Sequence, residues 1–284
     1  MEKIAVVTDT GSNLSFAQAK ELGIYLLPLQ ITIDETTYQD TLEISTQDIY
    51  NELANGKMPK TSMAAYQKIY DLFEELKKDY DTIFAVPLTN GLSTNASTMQ
   101  SIARELEMNV HVIDMYATCA LEKHVAIWIK KLVDEHKSSE EILKIIQPAI
   151  DESNSLILVK NLQHLKRGGR LTPMAAALAG LLKIYPVLHI NKSTEGRIDV
   201  LNKVRTEKRA DAYAIDKIMD DIDIQHTHIY IIHSNFLEGA DHFKKCFIKK
   251  GVPEQNIHID YISSVIAVHT GLGCIAIQYI REEN

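Results

Sequence analysis

Short apolar runs alternate along the chain with segments in which apolar residues recur at helical spacing. The runs are residues 4–7, 26–33, 83–87, 110–113, 156–159, 228–232 and 257–262. Between them, Phe16, Ala19 and Leu22 form one apolar stripe, as do the apolar residues of 69–76. Runs of four to eight apolar residues are typical of buried strands, and single stripes are typical of helices that cover a sheet. The alternation predicts an α/β fold.

Two of the runs, 83–86 and 229–232, are apolar at every position. Such runs suit strands that are buried on both faces, as parallel sheets between helix layers require. A chain of 284 residues is long enough for two domains of ordinary size, and the polar segment 151–155 is the predicted joint. We therefore expect two α/β domains, residues 1–154 and 155–284, each with a mainly parallel sheet flanked by helices.

Four helical segments are predicted beside these strands. Residues 94–106 and 119–135 have helical period, and Ser138 to Glu141 resembles a helix start that leads to residue 150. Thr172 and Pro173 are typical of a cap and first position, which predicts a helix over 174–182. The apolar run 274–280 also has a helical appearance.

The composition excludes several classes of function. A formal charge of −8 and a pI near 5.8 argue against a nucleic-acid partner, which clustered Lys and Arg would bind. The first apolar run is too short for a signal peptide, and the longest uncharged apolar stretch, around 174–182, is far below the ~20 residues that span a bilayer. Three widely spaced cysteines predict neither a disulfide framework nor a zinc site. We expect a cytoplasmic protein with no metal.

Known catalytic motifs are also missing. The sequence contains no G-x-x-x-x-G-K-[ST] and no H-E-x-x-H, and the Gly91-x-Ser93 pair lacks the last glycine of a nucleophile elbow. Gly271-x-Gly273-x-x-Ala276 matches a dinucleotide fingerprint in letters, but the chain ends before a second strand could follow it. We predict no cofactor and no self-sufficient catalyst. His189 and His233 are interpreted as hydrogen-bonded core histidines.

Four short segments combine hydroxyl groups, glycines and basic side chains with almost no carboxylates. They are Thr61-Ser62, Gly91-Leu92-Ser93-Thr94, Arg167-Gly168-Gly169-Arg170 and His269-Thr270-Gly271-Leu272-Gly273. Hydroxyl, guanidinium and backbone N–H groups form strong hydrogen bonds to anions. The loop with Ser93 follows a predicted strand and precedes a predicted helix, where anions bind well. The set predicts a site for one carboxylate or phosphate.

Each segment also has an ordinary structural interpretation. Ser93, Thr94 and Thr61-Ser62 suit helix caps, which are common roles for these residues. Residues 167–170 suit a surface turn, and His269 suits a buried core position. The small residues of 174–182 either pack tightly against a sheet or leave a groove for an alkyl chain.

In this order, the segments resemble the DegV family of bacterial fatty acid-binding proteins, which includes the FakB subunits of fatty acid kinase. The resemblance covers essentially the whole chain and includes three further segments: Thr8-Asp9-Thr10, Gly169-Arg170-Leu171 and Lys203-Val204-Arg205-Thr206. The family pattern differs here at three places: residues 61–65 are Thr-Ser-Met-Ala-Ala, residues 91–95 are Gly-Leu-Ser-Thr-Asn, and Leu272 replaces a proline.

The resemblance implies a protein that buries the tail of one long-chain fatty acid, its only ligand. The N-terminal domain would carry the carboxylate-binding loops, and the C-terminal domain the acyl-chain pocket and a basic loop. A separate ATP-dependent kinase subunit would phosphorylate the presented carboxylate to an acyl phosphate, a step of phospholipid metabolism, so this chain would not itself be the enzyme. A transient contact with a membrane surface is compatible with such a ligand.

The family's roles transfer to eight residues of this sequence. Six would surround the carboxylate, and two would lie near the site or dock the kinase. The carboxylate set is Thr61, Ser62, Ser93, Thr94, His269 and Thr270, and the docking set is Arg170 and Arg205.

Two other functions are compatible with the same residues. One is a stand-alone acyl hydrolase that uses Ser93 and His269, which an acyl-ester assay with Ser93→Ala would detect. The other is a carrier of a different amphipathic carboxylic acid, such as an isoprenoid or sterol acid, which identification of the bound ligand would decide.

Overall fold

The computed structural model describes residues 2–282, which form strands β1–β13, helices α1–α11 and three short 3-10 turns. The strands are β1 (Ile4–Asp9), β2 (Tyr25–Leu27), β3 (Gln30–Ile33), β4 (Thr36–Gln39), β5 (Lys60–Ser62), β6 (Thr82–Val86), β7 (Asn109–Val112), β8 (Asn154–Leu158), β9 (Tyr185–Ile190), β10 (Asp199–Val204), β11 (Thr227–His233), β12 (Ile257–Tyr261) and β13 (Ile275–Arg281). The helices are α1 (Phe16–Leu22), α2 (Thr46–Ala54), α3 (Tyr66–Leu76), α4 (Asn95–Glu105), α5 (Ala120–Asp134), α6 (Ser139–Glu152), α7 (Leu162–Arg167), α8 (Pro173–Leu178), α9 (Glu207–Asp221), α10 (Leu237–Lys249) and α11 (Ser264–Thr270).

The first sheet is parallel throughout, in the order β2-β1-β6-β7. Successive residues of β1 point to opposite faces. Ile4 and Val6 join the apolar core under α5 and α6, while Ala5 and Val7 join the core under α3 and α4. Burial on both faces explains the unbroken apolar runs, and the α/β prediction is confirmed for this half of the chain.

The second sheet has six strands in the order β10-β9-β8-β13-β11-β12. Four of its five pairings are antiparallel, and β11 with β12 is the one parallel pair. The sheet is flanked by helices as expected, but the prediction that it is mainly parallel is wrong. Helices α9 and α10 cover one face and a second apolar core covers the other, so its strands have the apolar runs of a parallel sheet. The apolar run of a strand thus reflects burial on both of its faces, and it does not depend on whether the neighbouring strands are parallel or antiparallel.

Strand β13 corrects a second prediction. The run 274–280, which has a helical appearance in the sequence, forms this strand, which lies between β8 and β11 in the middle of the sheet. A short apolar run in a doubly buried strand cannot be distinguished from a buried helix by periodicity. Strands β9 and β10 were not predicted, and the predicted run 26–33 is divided at Pro28 into β2 and β3.

Helix predictions agree better with the structure. Helices α4 and α5 lie within one residue of the predicted bounds, and Ser138 caps α6 through a reciprocal pair of bonds with Glu141. Thr172 caps α8, with Pro173 at its first position, although α8 ends at Leu178. The predicted joint at 151–155 falls where α6 gives way to β8. The division into residues 1–154 and 155–284 itself stays a prediction.

Helix α11 connects the two halves of the chain. Its residues Val265 and Val268 belong to the apolar core of the first sheet, and Ala267 belongs to the core beneath the second sheet. A small antiparallel sheet, in the order β4-β3-β5, lies beside it. This packing carries the end of α11 toward β5, where the candidate site forms.

Candidate functional site

Seven of the eight residues predicted for the site line one cavity of about 440 Å³. They come from β5, the loop between β6 and α4, the turn after α7, and the end of α11. The seven are Thr61, Ser62, Ser93, Thr94, Arg170, His269 and Thr270. Arg205 is not among the lining residues; it is exposed in the turn between β10 and α9.

Thr61 and His269 are in direct contact, with 2.7 Å between Thr61 Oγ1 and His269 Nε2. The pairing of Ile31 in β3 with Thr61 in β5 holds the threonine in place. The imidazole also bonds to the backbone of Gly168, which lies on its Nδ1 side. This contact raises the pKa of His269, as a carbonyl acceptor does, so we assign the proton to Nδ1, and Nε2 accepts the hydrogen bond of the Thr61 hydroxyl.

His269 is neutral at physiological pH. Burial, followed by electrostatic repulsion from Arg170 and a smaller contribution from His164, lowers its pKa to about 4. Desolvation disfavours the charged form of a histidine. The site therefore offers a neutral imidazole and hydroxyls, with one fixed positive charge at its edge.

The loop before α4 presents Ser93 to the cavity. Ser93 Oγ accepts the Asn95 N–H at 3.2 Å, which leaves the hydroxyl proton available for a ligand. The other predicted cap, Thr94, makes no side-chain bond to the helix N-terminus, and its hydroxyl donates to Met63 Sδ at 3.5 Å. Ser93 therefore both caps the helix and faces the cavity.

The Arg170 side chain contacts both the turn after α7 and the loop that carries Ser93. Its Nη1 donates to the Gly168 carbonyl at 2.7 Å, and its Nε lies 3.5 Å from the Leu92 carbonyl. A Cβ atom on Gly168 would lie only 2.7 Å from His269 Nδ1. Glycine at position 168 therefore allows the turn to approach the imidazole.

An apolar void of about 30 Å³ lies behind the cavity and shares with it the walls Leu92, Ile198, Ile266 and Thr270. Its further lining includes four isoleucines, together with small, thiol and polar side chains; the isoleucines are Ile157, Ile190, Ile232 and Ile262. The cavity thus borders the apolar core beneath the second sheet.

The structure does not join Ser93 and His269 as a catalytic pair. A nucleophilic serine requires a base within hydrogen-bond reach. Among residues 2–282, the recorded partner of His269 Nε2 is Thr61, and that of Ser93 Oγ is the Asn95 N–H. This arrangement gives no support to acyl hydrolysis.

The sequence did not assign a role to three buried polar residues beneath the loop. Asp9, Asn95 and Glu122 are all fully buried, and Asp9 bonds to both ends of the segment 88–95. The Thr8-Asp9-Thr10 segment was a visible signal, because a polar group that ends a buried strand at a sheet edge is common in ligand sites. Nothing in the sequence pointed to Glu122.

A second cavity of about 420 Å³ lies between α9 and α10 and contains none of the predicted site residues. Cys119, Cys246 and Cys274 are free thiols. Within residues 2–282, no group of three or more His, Cys, Asp or Glu side chains could hold a metal ion. No helix in this part of the chain is both long enough and apolar enough to cross a bilayer.

Comparisons with known proteins agree with this architecture. The profile of the DegV family, which is described as a family of uncharacterised proteins, matches residues 3–282. A DegV domain-containing protein of Halalkalibacterium halodurans is 31% identical over 289 residues, with 100% of each chain covered.

Two solved structures share the fold over nearly the whole chain. The fatty acid binding DegV family protein of Streptococcus agalactiae has a TM-score of 0.91 at 30% identity and covers 100% of both chains. DegV of Bacillus subtilis, described as a fatty acid binding protein, has a TM-score of 0.86 at 26% identity and covers 99% of this chain and 100% of its own. The family match over residues 3–282 and the full-length similarity to these proteins show that this chain belongs to the DegV family.

Proposed function

We propose that this protein binds one long-chain fatty acid and presents its carboxylate to a separate ATP-dependent kinase subunit, which converts it to an acyl phosphate. The observation that carries the proposal is the convergence of seven predicted site residues on one cavity that borders an apolar void. Relatives that cover the whole chain are described as fatty acid binding proteins.

The carboxylate would lie against Thr61 and Ser93, with His269 behind Thr61. A buried carboxylate without partners would cost several kcal/mol. Hydrogen bonds to a charged group contribute about 1.5–3 kcal/mol each, so two hydroxyls offset much of that cost. Ser62, Thr94 and Thr270 complete the polar wall, and Arg170 supplies the nearest fixed positive charge.

The tail would enter between Leu92, Ile198 and Ile266 and occupy the space that the apolar void marks. Burial of the methylenes of a C16-type tail at ~0.8 kcal/mol each gives about 11 kcal/mol before the cost of immobilisation. A void of about 30 Å³ holds only about two water molecules. Side chains around it must therefore move apart to admit the ligand.

Protein purified from lipid-containing cells is expected to carry one fatty acid, visible as a mass difference between native and denaturing mass spectrometry. Ser93→Ala removes a hydroxyl from the carboxylate and should weaken binding about 10- to 100-fold. Ser97→Ala is the matched control, because Ser97 is an exposed serine of the adjoining helix α4, donates to the Thr94 carbonyl, and does not line the cavity.

A protein that is ligand-free after gentle purification would contradict the proposal. So would equal losses in Ser93→Ala and Ser97→Ala. A different acid in the mass spectrum would identify the carrier of another amphipathic acid, and turnover of acyl esters that Ser93→Ala abolishes would identify a hydrolase.

The kinase step has its own test at Arg170. Arg170 lines the cavity, and its guanidinium would stabilise the charge that develops on the carboxylate. We expect Arg170→Ala to lower the rate of acyl phosphate formation about tenfold or more while lipid retention changes less. Arg167→Ala is the control, since Arg167 is exposed in the same turn and does not line the cavity. Equal loss of both activities would place Arg170 in the pocket rather than at a docking surface, and Arg205→Ala tests the outer part of that surface.

A further inference from the structure

Two carboxyl groups lie together under the loop that carries Ser93. Asp9 ends β1 and Glu122 lies in the first turn of α5, and both side chains are fully buried. Among residues 2–282, neither carboxyl has a recorded hydrogen bond or ion pair with a lysine, arginine or histidine. The other ionisable groups that face the pair are Asp40 and the Cys119 thiol, which bring no positive charge.

Asp9 accepts hydrogen bonds from three donors. The Gly11 N–H lies 2.8 Å from Asp9 Oδ1, while the Leu88 N–H and the Asn95 side-chain amide lie 2.9 and 2.6 Å from Oδ2. All three partners are donors, so an ionised carboxylate satisfies them best. Leu88 and Asn95 are the two ends of the loop that presents Ser93, and Asp9 holds both.

Glu122 has the opposite surroundings. Its Oε1 lies 3.2 Å from the Thr8 hydroxyl, whose single proton has a closer acceptor in the Val86 carbonyl at 2.7 Å. Its Oε2 has no donor as a partner, and the carboxyl that faces it is Asp9. The Asp9 carboxyl and the Thr8 oxygen beside Glu122 are therefore better suited to accept a hydrogen bond from its carboxyl than to donate one.

We propose that Glu122 is held as a neutral carboxylic acid that shares its proton with ionised Asp9, and that Asp9 is a positioning residue for the loop 88–95. The second part rests on the proposed function, because the loop carries Ser93. With this proton, Glu122 Oε2 can donate a hydrogen bond to Asp9. Asp9 stays ionised and still accepts hydrogen bonds from Gly11, Leu88 and Asn95.

Electrostatics agree with this assignment. Burial, and then the charge of Asp9, raise the pKa of Glu122 well above its ordinary value. Burial also raises the pKa of Asp9, but the N–H donors of Leu88, Gly11 and Asn95 oppose the shift. Two carboxyls in contact in a low-dielectric site cannot both ionise, and the one with more donors keeps the charge.

The protonation state can be read without any lipid. In ligand-free protein with ¹³C-labelled glutamate, one side-chain carboxyl should keep the chemical shift of a neutral acid between about pH 6 and 8, where ordinary glutamates are ionised. This signal should be absent in Glu122→Gln, whose amide imitates the neutral acid. If every glutamate carboxyl in the wild type is ionised across this range, the proposal is wrong.

The stability of the two proteins should diverge with pH. Above the ordinary glutamate pKa, the unfolded chain has released the proton that native Glu122 keeps, so a rise in pH favours unfolding of the wild type. The ratio of the unfolding constants of wild type and Glu122→Gln should rise up to about tenfold per pH unit until the native group itself titrates. A ratio that is independent of pH would contradict a neutral Glu122.

The positioning role is tested by comparing the dissociation constants of a fatty acid and the fatty alcohol of equal chain length. Asp9→Ala removes the acceptor that the Leu88 N–H and the Asn95 amide share, and should reduce the preference for the acid about tenfold. Glu122→Gln, as the conservative variant of the partner carboxyl, should keep that preference. If Asp9→Ala does not fold, Asn95→Ala removes one of the same bonds and carries the test.

An unchanged preference in the Asp9 and Asn95 variants would show that Asp9 has only a structural role. The result is distinct from failure of the proposed function, in which the wild type itself would bind neither lipid. The ¹³C measurement holds in either case, because it concerns the ligand-free protein.

Discussion

Gly91→Ala is expected to destabilise the protein by about 3 kcal/mol and to abolish lipid retention. A Cβ atom at position 91 would lie 2.1 Å from the carbonyl oxygen of Gly196 and 2.6 Å from that of Glu195. Both contacts are with backbone, which cannot move aside as a flexible side chain can. The clash would push the Ser93 loop away from the turn at residues 195–196. This turn lies two residues before Ile198, which lines the cavity. Chemical denaturation and native mass spectrometry measure the two effects.

Gly56→Ala is the control for this experiment. Gly56 has φ +81 but no atom within 4 Å of the added Cβ, so alanine there costs only backbone strain, about 1–2 kcal/mol. We expect this variant to keep its lipid. A Gly91→Ala protein that is as stable as Gly56→Ala and retains ligand would show that the two loops separate without consequence for the site.

Fatty acid binding is expected to take up about one proton near pH 7. In the free site the Thr61 hydroxyl donates to neutral His269, so an arriving carboxylate meets oxygen lone pairs. Because the Gly168 backbone keeps the first proton on Nδ1, the clash is relieved if His269 gains a second proton on Nε2 and donates to Thr61, or if the ligand enters as the neutral acid. Both routes remove a proton from solvent, because the fatty acid is ionised in solution and the free His269 has a pKa of about 4. Calorimetry in buffers with different ionisation enthalpies measures the uptake.

Thr61→Val removes the hydroxyl while keeping the shape of the side chain. We expect a loss of affinity of about 10- to 100-fold and no proton uptake at this position. The fatty alcohol of equal length is the matched ligand, and its binding heat should not depend on the buffer. If the binding heat of the fatty acid to the wild type is equally independent of the buffer, the hydrogen-bond directions assigned to Thr61 and His269 are wrong.

Much of the site could be predicted from the sequence because its parts are local signals. Ser93 lies between a strand and a helix, Gly168 and Gly169 mark a turn, and hydroxyls occur beside glycines in the segments of Ser93 and Thr270. These are properties of a few adjacent residues, and the structure brings seven of the eight predicted side chains to one cavity. Arg205 lies outside its lining, and its role stays a prediction.

The buried carboxyl pair could not be found in this way. Asp9 and Glu122 are 113 positions apart in the sequence, and each is an ordinary acidic residue in its own segment. Only packing of α5 against β1 removes both from water and forces them to share a proton. The contact of Thr61 with His269 is similar, since 208 positions separate the two residues.

The sequence by itself determined the α/β class, the double-sided burial of the strands and the loops that hold the polar groups, because these follow from the order of apolar and polar residues along short stretches. The tertiary structure decided the antiparallel direction of the second sheet, the central place of β13 and the insertion of α11 into the core of the first sheet. Strand direction and helix placement depend on hydrogen bonds and packing between distant segments. The order of apolar and polar residues reflects only burial, so it is the same for a parallel and an antiparallel strand.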